Sequence, residues 1–277
     1  DDDPQVTMAI TDIARLPRPP YSFDAEDEAL LDEIQRASFK FFWEGVSPDT
    51  GMVYDRTSSD VISVAGVGFQ LAAIPIAVER GWVTRSQGQD RVLKILRALQ
   101  SEPTNRKEGL FYHFLEPHDA APRRVGAELV VSTIDSAVLF AGMLSAGVYF
   151  EGEAREIADQ LFAEANWSFF LQEPGADGAP PGRFMSLGWR PSDDNDPTGD
   201  GERITYSWLD SGDEHRLVTF MGVAATNPEY RLDPEIYYAL RRQLGTHDTI
   251  GKVVWFPYSG ALFTAFFAHC FIDYAHM

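Results

Sequence analysis

The sequence has a single cysteine and few basic residues. Its 277 residues include 23 Lys and Arg against 42 Asp and Glu, which gives a formal net charge of −19. One cysteine cannot form an internal disulfide, and Cys270, in an apolar run, is predicted to be a buried small hydrophobe. The acidic balance argues against nucleic acids or anionic membranes as partners and is compatible with a neutral ligand such as a sugar.

Patterns typical of metal sites are also missing. The six histidines show no HExxH motif and have no cysteine partner, so a zinc site is not expected. The run 193–200 has oxygen-bearing side chains at alternate positions and Gly199 at the sixth position counted from Asp194. Its twelfth position is Thr205 rather than the Glu that a calcium loop needs, so we expect a solvated acidic loop and no metal.

One stretch has no polar face. Residues 132–150 read STIDSAVLFAGMLSAGVYF, and a helix that is apolar all round must be enclosed by other elements. Asp135 lies one turn into this helix, where a carboxylate is costly to bury unless it is paired, hydrogen-bonded or open to a cleft. With 19 residues, many of them small, and no basic flank, the stretch is not expected to span a membrane.

Enclosed helices alternate with amphipathic ones along the chain. The predicted amphipathic helices are 24–43, 84–100, 153–171 and 233–243, and the predicted enclosed helices are 65–80, 132–150, 213–225 and 260–274. No convincing strand ladder separates them. Four α/α hairpins in this order indicate an all-α fold of the α/α-toroid type, with the enclosed helices at the centre. An α-solenoid is the alternative, but no regular sequence period supports it.

Domain organisation and loop lengths add to this prediction. Residues 1–22 are polar and proline-bearing and read as an N-terminal arm or linker, and 23–277 form the domain.

Loops that lead into enclosed helices are long, namely 44–64, 101–131, 172–212 and 244–259. If the inner helices are parallel, these loops lie at one end, over the helix N-termini. They are rich in aromatics and carboxylates, which suit sugar rings and glycoside cleavage, although the aromatics could instead only close the end of the barrel.

Several motifs together resemble a known family. GVGFQLAAIPIAVERGWVTR, GLFYHFLEP, ELVVSTIDSAVLFAGMLSAGVYF, SLGWRP and AHCFIDY occur in the order seen in the bacterial glucoamylase-like glycoside hydrolases. This group includes endo-β-1,2-glucanases and is related to the transglycosylase domain of cyclic β-1,2-glucan synthases. The resemblance implies an (α/α)6 toroid, action on β-glucan oligo- or polysaccharide, no cofactor, and a periplasmic or secreted location in bacteria.

The resemblance also implies site residues. Asp135 matches the aspartate of the STID motif, and Glu214 matches the glutamate that opens the inner helix after the GW loop. We take Glu214 as the acid and Asp135 or Glu128 as the second carboxylate. Glu128 matches the acidic residue that precedes the STID motif in the family, but it lies two residues further from that motif than expected. The alternatives are that Asp135 is a structural hydrogen-bonding residue and that Glu214 is a helix-capping carboxylate. The predicted substrate-binding residues, from the resemblance and from the loop contents, are Asp55, Arg56, Tyr112, His113, Trp189, Trp208 and Tyr258.

The sequence departs from the family in two ways. Around Glu214 it has Gly212, Asp213 and His215 in place of a preceding tyrosine and a following small apolar residue. Four hairpins also fall short of a six-hairpin ring, so we expect the C-terminal helix pairs to be absent and the apolar helix 260–274 to be covered by a missing segment or by self-association. Two hypotheses follow: a hydrolase or transglycosylase acting on β-1,2-linked glucan, and a catalytically weak glycan-binding or assembly module.

Overall fold

The computed structural model describes residues 22–172, 184–209, 212–241, 243–249, 251–255 and 266–272. The predicted arm, residues 1–22, therefore lies almost wholly outside the described residues, and so does most of the predicted helix 260–274. The domain boundary stays a prediction.

Seven α-helices lie within the described residues: α1 (Ala25–Glu44), α2 (Val64–Glu79), α3 (Arg85–Ser101), α4 (Thr133–Phe150), α5 (Gly152–Ala163), α6 (Asp213–Val223) and α7 (Glu235–Ala239). Short 3₁₀ helices lie at Pro103–Asn105, Trp167–Phe170 and Ala268–Cys270. Apart from the shortened α5 and α7, the α-helices begin and end within about two residues of the predicted bounds, as is usual for helix ends.

Short strands in the segments between the helices pair with one another in antiparallel fashion. The prediction that no strand ladder separates the helices is therefore wrong. The strands are β1 (Ile62–Ser63), β2 (Arg106–Lys107), β3 (Leu110–Phe111), β4 (Phe114–Leu115), β5 (Val131–Ser132), β6 (Gly188–Pro191), β7 (Gly201–Arg203), β8 (Gln243–His247) and β9 (Gly251–Trp255). They pair as β1–β4, β2–β3, β5–β6–β7 and β8–β9. The last pair is a hairpin of two five-residue strands, where the sequence analysis expected the loop 244–259. The sequence of β9 is GKVVW, and its valines and tryptophan favour a strand.

Three other predictions need correction. The helix predicted at 153–171 ends at Ala163, because the backbone at Glu164 packs closely against Gly109 and the Asn166 N–H donates to the Glu108 carbonyl. The helix predicted at 233–243 has only the five residues of α7, since the chain soon enters β8. Cys270 is exposed rather than buried, because it ends a 3₁₀ turn instead of lying in an inner α-helix.

The inner layer is built on direct backbone contact between α2 and α4. A Cβ added at Gly142 would lie 1.9 Å from the Gly68 carbonyl oxygen, and one added at Gly68 would lie 2.4 Å from the Val138 carbonyl oxygen. The two helices can therefore approach this closely only because both positions are glycine. By length and composition α4 could cross a membrane, but 67% of it is buried inside the protein, as expected of an enclosed core helix.

The outer layer is amphipathic, as predicted. Arg97 of α3 and Glu153 of α5 form a bidentate ion pair with two N–O distances of 2.7 Å. On α1, Phe39 is buried against Trp43 and Trp82. The apolar stripe predicted for α1 is only half covered, however, since Leu30, Leu31 and Ile34 are 55%, 45% and 54% exposed.

The described C-terminal residues touch the inner layer. Phe267 and Phe271 lie 4.9 and 5.8 Å from the Phe69 ring of α2, between ring centroids, while Phe266 is 54% exposed. The helices thus form the inner and outer layers that the alternation predicts. Self-association stays a prediction.

Replacing Gly142 by Ala should destabilise the protein by about 1–3 kcal/mol or more, because the added methyl group would overlap the backbone of α2. The matched control is Gly66→Ala in α2, where the new Cβ would meet only Val53 Cγ1 at 3.6 Å. That change should stabilise by up to about 1 kcal/mol through helix propensity. Urea unfolding of both variants measures the difference in their free energies of unfolding. Equal unfolding midpoints would contradict the close backbone contact between α2 and α4.

Candidate active site

The N-terminal ends of α2 and α4 are held together by the loop between β3 and β4. The Val64 N–H at the start of α2 donates to the His113 carbonyl at 3.0 Å. The His113 N–H donates to the Val130 carbonyl at 2.8 Å, just before β5 and α4. His113 therefore lies between the N-termini of two parallel inner helices.

The N-terminal end of α6 joins the same region. Thr133, the first residue of α4, accepts a hydrogen bond on Oγ1 from Trp208 Nε1 at 2.8 Å. The Trp208 ring packs against His215 in the first turn of α6, with ring centroids 4.6 Å apart. Three inner helices thus point their N-termini toward one end of the array, which is where the long loops were predicted to gather.

Asp135 is held in the first turn of α4 by the residue that caps the helix. The Ser132 hydroxyl accepts the Asp135 N–H at 3.3 Å and also donates to Asp135 Oδ2. The other carboxylate oxygen, Oδ1, lies 3.6 Å from His113 Nε2, and the side chain is 17% exposed. Asp135 is therefore tied to the N-cap residue of α4 and still presents one oxygen to the site.

Glu128 is engaged by the other ring nitrogen of His113. Glu128 Oε1 and His113 Nδ1 are 2.5 Å apart. Burial lowers the pKa of His113, but the hydrogen bond to Glu128 and the charges of Asp135, Glu128 and Asp55 outweigh it and raise that pKa. The hydrogen bond from His113 in turn lowers the pKa of Glu128, against the effect of burial. Glu128 is thus an ionised partner of His113 and a poor proton donor.

Glu214 has the opposite electrostatic environment. It lies half-buried in the first turn of α6, and burial, reinforced by the negative charge of Asp135, raises its pKa to about 7. A carboxylic acid with this pKa carries its proton near neutral pH. Glu214 and Asp135 therefore form an acid next to a carboxylate, the pair that glycoside cleavage requires.

Asp55, Arg56 and Trp208 border this group. Asp55 Oδ2 lies 2.8 Å from Arg56 Nε, and the Arg56 side chain is 71% exposed. The Asp55 charge is close enough to raise the pKa of His113. The partly exposed Trp208 lies on the α6 side, against His215. The role of Asp55, Arg56 and Trp208 in binding stays a prediction.

Tyr112 and Trp189 do not present an exposed ring face on which a sugar could stack. Both side chains are buried, at 0% and 1% exposure. The Tyr112 hydroxyl donates to the Pro197 carbonyl at 2.6 Å, and Lys107 Nζ lies 4.9 Å from the Trp189 ring centroid. Both rings therefore support the acidic loop and β6, and direct sugar contact by either one stays a prediction. Tyr258 lies outside the described residues.

The acidic loop is organised by protein contacts. Asp193 Oδ1 accepts hydrogen bonds from Asn195 N and Nδ2 at 2.9 and 3.0 Å, and Lys107 Nζ donates to the Thr198 and Gly199 carbonyls at 2.8 Å. Across the described ranges, no group of three His, Cys, Asp or Glu side chains is arranged to hold a metal.

Two functional residues escaped the sequence prediction. Ser132 orients Asp135, and Thr133 links α4 to the 184–209 segment by donating to the Ser186 carbonyl at 2.9 Å. A serine directly before an apolar helix is a common N-cap, and this could have identified Ser132. Thr133 had no such signal, because its partners come from a loop distant in sequence.

The chain resembles bacterial proteins in sequence and in structure. It is 28% identical over 236 residues to an exo β-1,2-glucooligosaccharide sophorohydrolase (non-reducing end) from Parabacteroides distasonis, a match that covers 79% of this chain and 29% of that protein. A β-1,2-glucanase structure from P. distasonis matches with a TM-score of 0.65 at 24% identity, covering 80% of this chain and 30% of the other. An endo-β-1,2-glucanase structure from Chitinophaga pinensis matches with a TM-score of 0.60 at 20% identity, covering 78% and 50%. No family profile matches the chain.

The paired helices place the chain in the class of all-α folds of the α/α-toroid type, which the matching β-1,2-glucanase structures share. Within that class, the resemblance to the glucoamylase-like, β-1,2-glucanase-containing family is confirmed. The chain spans less than a third of the length of the sophorohydrolase that it matches.

Replacing Glu214 by Gln should make the protein more stable at pH 8 and leave it unchanged at pH 4. The pKa of about 7 exceeds the ordinary 4.5, so the folded state binds this proton more tightly than the unfolded state does. The stability that the proton provides is complete below about pH 4.5 and is lost as the pH rises through 7. Gln is uncharged throughout and avoids that loss, which thermal melts at both pH values can measure.

The control is Glu153→Gln, on the surface of α5. The hydrogen bond from Arg97 lowers the pKa of Glu153, so its contribution has the opposite sign and is lost as the pH falls. This variant should be no more stable than wild type at pH 8. A Glu214→Gln melting shift that is the same at pH 4 and pH 8 would contradict a proton held on Glu214.

Proposed function

We propose that this chain is a glycoside hydrolase that cleaves β-glucan, with β-1,2-linked glucan as its substrate. The observation that carries the proposal is Glu214, whose pKa of about 7 comes from burial and from the neighbouring charge of Asp135. A protonated acid beside an ionised carboxylate, at the loop-bearing end of a helical array, is the minimum that acid-assisted glycoside cleavage needs. The substrate linkage follows from the sophorohydrolase and glucanase relatives.

In this mechanism Glu214 donates its proton to the oxygen that leaves with the departing sugar. Asp135 is the second carboxylate, and it either removes a proton from the attacking water or attacks the anomeric carbon itself. The distance between the two carboxyl groups with substrate bound decides between these routes: about 6.5–9.5 Å leaves room for water and inverts the configuration, and about 5–5.5 Å retains it. Glu128 has no proton-transfer role in this scheme, because it is paired with His113, whose hydrogen bond lowers the pKa of Glu128.

The negative charge of Asp135 acts before cleavage, on the proton of Glu214, and during cleavage, on the sugar ring. While Asp135 is ionised, its field keeps the proton on Glu214. When Glu214 gives up that proton, positive charge is developing on the sugar ring, and Asp135 is placed to stabilise it. The same site would transfer the sugar to another sugar hydroxyl instead of water if an acceptor bound, which is the transglycosylase form of the proposal.

A periplasmic or secreted location is part of the proposal, because the family resemblance implies it. The competing function is a glycan-binding or assembly module with weak catalysis. The altered neighbours of Glu214, namely Gly212, Asp213 and His215, favour that alternative.

Glu214→Gln should lower turnover of linear β-1,2-glucan by at least about 100-fold, which is the usual contribution of a general acid. Sugar affinity should persist, with dissociation constants from micromolar to millimolar, about 4 to 8 kcal/mol. Product analysis gives the turnover, and calorimetry with a β-1,2-glucooligosaccharide gives the affinity. Wild-type turnover should also fall above about pH 7, as Glu214 loses its proton.

The control is again Glu153→Gln, a surface carboxylate paired with Arg97, which should hydrolyse like wild type. Sugar binding without turnover in the wild-type chain would support the binding module instead. Turnover in Glu214→Gln equal to wild type would remove Glu214 from the mechanism.

A further inference from the structure

We propose that His113 is a positioning residue whose positively charged ring bridges Glu128 and Asp135, and so keeps the Asp135 carboxylate aligned beside Glu214. The proposal rests on the proposed function, since it concerns how the second carboxylate is held in place beside the acid. It assigns His113 and Glu128 a joint role different from both sugar binding and proton donation.

The His113 backbone is fixed from both sides. Its carbonyl accepts the Val64 N–H at 3.0 Å, and its N–H donates to the Val130 carbonyl at 2.8 Å. The ring stacks on the neighbouring Phe114 with centroids 3.8 Å apart and an interplanar angle of 20°. The imidazole therefore has little freedom to turn away from the carboxylates.

The two ring nitrogens face two different carboxylates. Nδ1 lies 2.5 Å from Glu128 Oε1, a short hydrogen bond that fixes the plane of the ring. Nε2 lies 3.6 Å from Asp135 Oδ1, an ion-pair distance slightly longer than a hydrogen bond. Since Ser132 already holds the other Asp135 oxygen, His113 and Ser132 together leave the carboxylate with one orientation.

The surrounding charges explain why a cation is needed here. Asp55, Glu128 and Asp135 all face His113, and Glu214 lies beyond Asp135. Without a positive charge among them, these carboxylates would repel one another, and Asp135 would lose the partner that holds its Oδ1. Consistent with a held charge, the pKa of His113 is raised despite its burial.

His113→Gln tests the charge, because Gln keeps hydrogen-bonding groups but cannot become cationic. We expect kcat on β-1,2-glucan to fall by about 10- to 100-fold, with a smaller change in KM, and the acidic limb of the pH–kcat profile to move to higher pH. The matched control is His118→Gln. His118 also pairs with a carboxylate, Asp49, at 2.8 Å, but it is 78% exposed on the surface. It should leave both kcat and the pH profile unchanged.

Proton NMR titration of the histidines gives a second readout that needs no activity. The His113 midpoint should lie above 6.5 in wild type and should fall in both Glu128→Gln and Asp135→Asn, while the His118 midpoint stays fixed. A His113 midpoint that does not respond to Asp135→Asn would overturn the proposal, as would a pH profile of His113→Gln that matches wild type. If wild type itself shows no turnover, the proposed function fails, and the titration alone decides whether His113 links the two carboxylates.

Discussion

The close contact between Gly68 of α2 and Gly142 of α4 is the constraint on which the site depends. It brings two helix backbones together in the middle of the inner layer, and side chains at either position would force them apart. Because the helices are parallel, this contact also brings their N-termini level with each other. His113 can then bond to Val64 at the start of α2 while its ring faces Asp135 at the start of α4. The relative placement of the charged groups is thus set by residues that carry no charge.

Buried polar side chains on the inner helices attach the loops to this framework. Gln70 of α2 is fully buried and has every bond satisfied: its Oε1 accepts the Val53 N–H at 2.9 Å, and its Nε2 donates to the Phe42 and Gly51 carbonyls at 2.9 and 3.0 Å. Ser136 of α4 accepts the Phe111 N–H at 2.8 Å in the same way. Satisfied buried groups of this kind define one arrangement of a loop, since any other arrangement would leave them unpaired. The loops that carry His113 and Asp55 therefore start from fixed points on rigid helices.

The sequence predicted the enclosed helices α2, α4 and α6 well because their signal is local, a run of apolar residues at helical length. Asp135 drew attention as the one charge in such a run, whereas Glu214 was assigned from the family resemblance. The strands could not, since a two-residue strand such as β5 has no alternation to recognise. The burial of Tyr112 and Trp189 was also out of reach, because it depends on β5 and β6 meeting across more than 50 residues of sequence. Loop aromatics look alike in a sequence whether they face a ligand or another loop.

The two central carboxylates, Asp135 and Glu214, lie in the first turns of helices that begin with different caps. Both helix N-termini favour negative charge, an effect worth about 0.3–1 kcal/mol, or less than one pKa unit. At α4 the cap is Ser132, whose hydroxyl bonds to Asp135 directly, and His113 stands on the other side. At α6 the cap is Gly212, which has no side chain to offer, so Glu214 gains only the helix dipole while burial and the charge of Asp135 raise its pKa to about 7. That rise of over two pKa units exceeds what the helix end can oppose. Burial and the charge of Asp135, rather than the residue that caps α6, therefore set the pKa of Glu214.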